Sequence, residues 1–128
     1  MKKITLIFLF LFTAKLAYSD QLAWLTKDQA EQTITYFQNH NINEVILYCG
    51  CCDGDTKIKV AVSKIYSRQA TDPQYWEIVI EGTTPGGNKI IRAVDLAYVH
   101  IKRGSKARCL GKELGFYCDP CVKPFKWY

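Results

Sequence analysis

The sequence predicts an α+β domain: one N-terminal helix packed on a four- to five-stranded antiparallel sheet, stabilised by disulfides. Three observations predict it. A stretch near residue 30 carries apolar residues at helical spacing behind a capping box. Most of the remaining chain alternates apolar and polar residues in short runs separated by turn residues, as strands with one wet face do. Six cysteines fall in two clusters behind an N-terminus that reads as an export signal.

The N-terminus sets the compartment. Met1-Lys2-Lys3 is positive, residues 6–12 are unbroken apolar sequence, and Ala17-Tyr18-Ser19 is a small-x-small cleavage site. The apolar run is shorter than the roughly 20 residues that a membrane span needs. The expected division is therefore a signal peptide at 1–19 and a single domain at 20–128. The first cysteine is Cys49, so no lipid-modified Cys follows the cleavage point. A soluble periplasmic or secreted protein without a membrane anchor is expected. A domain of this size buries only a modest core, and disulfides add useful stability.

The charge excludes one class of partner. Cleavage removes Lys2, Lys3 and Lys15 from the 17 basic residues, leaving 14 against 12 acidic ones, formally +2. That balance is too weak for nucleic acid. The local excess at Lys102, Arg103, Lys106, Arg108 and Lys112 is the stronger signal, suited to an acidic partner. Its plain alternative is a solvated turn and strand edge.

The helix is expected at about 27–39. Thr26 and Gln29 have capping-box spacing, Leu25 and Ala30 occupy the hydrophobic-staple positions, and Ala30, Ile34 and Phe37 form one stripe. Asn39-His40-Asn41 ends it. A β-rich run at 44–48 leads into the first cysteines, and Cys52-Asp53-Gly54-Asp55 is turn chemistry. Ile58, Val60 and Val62 alternate with Lys57, Lys59 and Ala61; the slip at Lys64-Ile65 predicts a bulge or the strand's end. After the turn at Thr71-Asp72-Pro73-Gln74, Trp76, Ile78 and Ile80 resume the alternation. Thr84-Pro85-Gly86-Gly87-Asn88 is the strongest hairpin signal. The segment 90–101 reads as one bent strand or two joined strands, with Asp95 in its middle. A turn at 103–106 precedes a last short strand at 107–110, and the aromatic tail from Gly115 is expected to be irregular. Phe37, Val60, Trp76 and Ile78 should share the core.

Cys49, Cys51, Cys52, Cys109, Cys118 and Cys121 are all expected in disulfides. Adjacent Cys51 and Cys52 pair poorly, and in a strand the α-carbons of Cys49 and Cys51 lie roughly 6.5 Å apart, near the upper limit. Bridges between the clusters are therefore expected, each spanning at least the 57 residues from Cys52 to Cys109, worth roughly 4 kcal/mol by chain entropy. Cys118-Asp119-Pro120-Cys121 also has the spacing of half a zinc knuckle or of a redox pair. Export favours oxidation over zinc ligation, and no helix pattern follows to activate a thiol.

No nucleophile with a base, phosphate loop, complete metal site or carboxylate pair stands out, so neither an enzyme nor a cofactor is expected. His40 lies in a polar turn, and His100 in a strand pattern has no nucleophile beside it. Asp53-Gly54-Asp55 lacks the later ligands of a calcium loop. Asp95 in an apolar run needs a partner such as Arg92, or a bulge. The tail rings Phe116, Tyr117, Phe125, Trp127 and Tyr128 either cover the core or form an interaction patch. The expected function is protein binding, of inhibitor or immunity type, with Arg103, Lys106, Arg108, Trp127 and Tyr128 as the partner-binding candidates. The alternative is a small-ligand or metal-binding periplasmic module with its pocket between helix and sheet.

Overall fold

A computed structural model describes residues 25–48, 56–123 and 125–127. The expected signal peptide, Cys49, Cys51, Cys52, the turn at 52–55 and Tyr128 lie outside the described residues.

Helix α1 (Lys27–Asn39) starts at the capping box. The Gln29 N–H donates to Thr26 Oγ1 at 3.2 Å, and the Thr26 N–H donates to Gln29 Oε1 at 2.9 Å. Two donors that helix geometry leaves without partners are thus satisfied. Ala30, Thr33 and Phe37 form the buried face. Thr33 tolerates complete burial because its hydroxyl donates back to the Gln29 carbonyl at 2.8 Å. The helix ends in a Schellman motif. Asn41 takes φ 50°, the Ile42 N–H reaches the Phe37 carbonyl, and the Asn41 N–H reaches the Gln38 carbonyl. Ile42 and Phe37 both join the core, the apolar contact that accompanies such a cap.

The sheet has six strands rather than four or five: β1 (Glu44–Tyr48), β2 (Lys57–Gln69), β3 (Trp76–Thr83), β4 (Lys89–Val94), β5 (Val99–Arg103) and β6 (Lys106–Cys109). Their spatial order is β4-β3-β2-β1-β5-β6, with every pairing antiparallel. The extra strand comes from the segment 90–101. Asp95 divides it by accepting the Ala97 N–H at 3.0 Å and capping a 3₁₀ turn at Leu96–Tyr98. This is the role of the odd carboxylate. Burial pushes its pKa up, the Ala97 hydrogen bond opposes that, and Asp119 adds to it.

The slip in β2 is a bulge. Register shifts between Val62 and Lys64, so inward residues are even-numbered before it and odd-numbered after it. β1 pairs with the first part of β2 and β3 with the second. Gly82 faces this irregularity, and a Cβ there would collide with the Ala61 carbonyl and the Val60 side chain. The β3–β4 hairpin closes through the Thr84 N–H to the Asn88 carbonyl, with Gly87 at φ 84°.

The core lies between α1 and one face of the sheet. Phe37, Val60 and Ile78 are buried there, and half-buried Trp76 packs against them. Leu25 exchanges two backbone hydrogen bonds with Trp76, tying the start of α1 to β3. The single turn α2 (Leu110–Glu113) has no periodic signal in the sequence and buries Leu110 in the same core.

Candidate functional site

The face of the sheet away from α1 carries the site. Cross-strand pairing sets its composition. Lys59 pairs with Ile46, Ile46 with His100, and His100 with Cys109, so these four side chains share one face. Tyr48 with Lys57, and Lys102 with Ala107, form the neighbouring pairs on that face. Val45 and Leu47 point the other way, into the core.

The C-terminal tail folds over this face. The Cys109–Cys118 disulfide, with α-carbons 6.1 Å apart, anchors its start to β6. Two backbone hydrogen bonds hold its end: Ala107 N–H to the Phe125 carbonyl at 2.8 Å, and Trp127 N–H to the Ser105 carbonyl at 3.0 Å. The Tyr48 hydroxyl donates to the Lys123 carbonyl at 3.3 Å. The described part of the tail is irregular, as expected, apart from one isolated antiparallel bridge between Lys106 and Lys126.

Lysines of the sheet stack on the tail's rings. Lys57 Nζ lies 3.9 Å from the Phe125 ring centre, and Lys59 and Lys102 each place Nζ 5.3 Å from the Trp127 ring centre. The two rings meet edge to face at 5.5 Å. Trp127 is half-buried, with the ammonium groups of Lys59 and Lys102 at equal distance from its ring.

Between the tail, β6 and α2 lies a groove of about 840 Å³, mostly apolar in its walls. Its floor includes His100, Ala107, the Cys109–Cys118 bridge, Val122 and Phe125, and its rim includes Lys106, Arg108, Lys112, Lys123 and Lys126. Arg108 pairs with Glu113 at 3.4 Å. The four lysines have no carboxylate at ion-pair distance among the described residues. Asp119, the acid in the groove, already accepts the Cys121 N–H at 2.8 Å.

His100 is fully buried. Its ring lies 4.8 Å from that of Tyr48, edge to face, and neither ring nitrogen has a hydrogen-bond partner among the described residues. Burial lowers its pKa from 6.5 to about 4, so the imidazole is neutral near pH 7. Burial likewise raises the pKa of the Tyr48 phenol.

The disulfide expectation needs a correction. Cys109 bonds to Cys118 inside the C-terminal cluster, nine residues away, and not across the clusters. α2 is the cause: it turns the chain back immediately after β6 and returns Cys118 to Cys109. Cys121 is also disulfide-bonded, to a partner outside the described residues. Cys118 and Cys121 are therefore both disulfide-bonded, and not to each other.

The partner-binding candidates separate. Trp127 lies on the tail-covered face, whereas Lys106 and Arg108 pair with Arg103 and Ile101 and so alternate to the α1 side of β6, where Arg108 meets Glu113. Arg103 likewise reaches toward α1, where its Nη1 donates to the Tyr36 hydroxyl at 3.1 Å, and that hydroxyl lies 3.5 Å from Glu113 Oε2. Lys57, Lys59, Lys123 and Lys126 join the site without having been singled out by sequence reasoning, whereas Phe125 was named among the tail rings. The alternation Phe125-Lys126-Trp127 was the available signal. No family model, curated protein or solved structure matches this chain.

Proposed function

We propose that this chain is an exported protein-binding module, of inhibitor or immunity type, that docks an acidic partner on its tail-covered face. One observation carries the reading: Lys57, Lys59 and Lys102 lie on the Phe125 and Trp127 rings, and Lys106, Lys123 and Lys126 line the adjoining groove. Like charges held together on a rigid surface attract an acidic protein and orient its approach. Preformed aromatic contacts lose little freedom on binding. The cross-strand pairing and the bridge to Cys118 supply that rigidity.

Two further observations support the reading. The Cys109–Cys118 bridge is the chemistry of an oxidising compartment, as export requires. Among the described residues no helix is long and apolar enough to cross a membrane. The interface between α1 and the sheet is filled by Ala30, Phe37, Val45, Leu47 and Val60, whereas a ligand module of the kind expected would keep a cavity there.

The test is capture by the oxidised mature protein against a Lys106→Glu/Lys123→Glu/Lys126→Glu variant. Both are immobilised, exposed to periplasm and culture medium, and read by quantitative mass spectrometry. The expected result is a small set of acidic proteins lost at least about tenfold from the variant, with affinity falling as salt rises. Equal capture by both surfaces would refute the proposal.

A further inference from the structure

The geometry points to a second, smaller ligand: the groove between the tail, β6 and α2 binds a small organic carboxylate with an aliphatic or aromatic body. Two features of the groove converge on that chemistry. Ala107, Val122, Phe125 and the Cys109–Cys118 bridge give it an apolar wall, and a volume of about 840 Å³ accommodates a body of eight or more carbons. Lys106, Lys112, Lys123 and Lys126 stand at its mouth without carboxylate partners among the described residues, so the head group must be anionic. His100 closes the floor, fully buried, with its ring nitrogens out of a ligand's reach.

The charge pattern selects against other ligands. A cation meets four lysines and Arg108. A neutral alcohol gains the wall but not the rim. A short anion such as acetate gains the rim but not the wall. This inference does not rest on the protein-partner proposal, although both use Lys106, Lys123 and Lys126; it concerns the interior of the groove.

The experiment uses the whole oxidised chain and four probes: decanoate, decanol, decyltrimethylammonium and acetate. Binding is followed by calorimetry and by backbone and His-ring NMR. Decanoate is expected to saturate at one site, with shifts concentrated at Ala107, Val122, Phe125 and the His100 ring. Decanol is expected to bind at least about tenfold more weakly, and acetate and the cation without saturation. Lys123→Glu/Lys126→Glu should weaken decanoate about tenfold while leaving the NMR fingerprint of the fold unchanged. Absence of saturable decanoate binding by the folded chain overturns the inference, as does binding of decanol or the cation as tight as that of decanoate. Failure of partner capture with decanoate still bound would overturn the partner proposal alone.

Discussion

His100 should make this domain acid-sensitive in a window set by its burial. The unfolded chain takes up the imidazole proton near pH 6.5, and the folded chain only near pH 4. Between those values the unfolded state binds the extra proton, so stability falls as pH falls. The contribution is fully present above about pH 6.5 and fully lost below about pH 4. At about 1.4 kcal/mol per pH unit, the interval corresponds to about 3 kcal/mol. That figure is an upper limit, because local opening of the fold around the ring lets the charged form be solvated before global unfolding. The assay is urea unfolding of the wild type and His100→Leu at several pH values from 7.5 to 4, with the difference in stability plotted against pH. Leucine conserves most of the volume and brings no polar atom to a site that lacks partners for one. Taking the difference cancels the shared acid losses of the Glu44–Lys59, Glu77–Arg68 and Glu113–Arg108 pairs. It also cancels Asp95, whose raised pKa acts in the opposite direction by favouring the folded chain as pH falls. Wild type should lose up to about 3 kcal/mol relative to the variant between pH 7 and 4, with no change above pH 7. A flat difference across the window would show that the ring is protonated equally well in the folded chain, and the account of its burial would fail.

Other outcomes follow from the packing and the covalent links. Phe37→Ala should cost about 3–5 kcal/mol, read from thermal or urea melting; an unmoved curve would mean that α1 does not pack on the sheet through this ring. Gly82→Ala should cost about 1–3 kcal/mol, because its Cβ meets the β2 backbone across the bulge; unchanged stability would mean that the bulge relaxes freely. Non-reducing peptide mapping should join Cys109 to Cys118, and replacing both by Ala should cost about 3 kcal/mol, the chain-entropy figure for a loop of about ten residues. A peptide linking Cys109 to the 49/51/52 cluster would contradict the pairing. N-terminal sequencing of exported material should begin at Asp20, whereas intact Met1 on cytoplasmic protein would remove the basis for the compartment.

The sequence by itself determined what acts over a few residues. The Thr26–Gln29 capping box and the Ala30, Ile34, Phe37 stripe are local, and α1 starts and ends where they place it. The alternation of β2, its slip at Lys64, and the Thr84–Asn88 turn are also local, and the bulge and hairpin follow. Only the tertiary structure decided which distant segments meet. Asp95 was legible as anomalous, but its role as a cap depended on β5 leaving β4 to pair with β1, across the sheet. The tail's alternating rings became a lid because β6 offered an edge, and the lysines of β2 and β5 a surface. Cys109 chose Cys118 because α2, a single turn too short to leave a periodic trace, folded the chain back. The groove is made of β5, β6, α2 and the tail together. Periodicity and capping report each residue's own neighbours, whereas a cavity exists only in the space between elements, and no stretch of sequence carries that space.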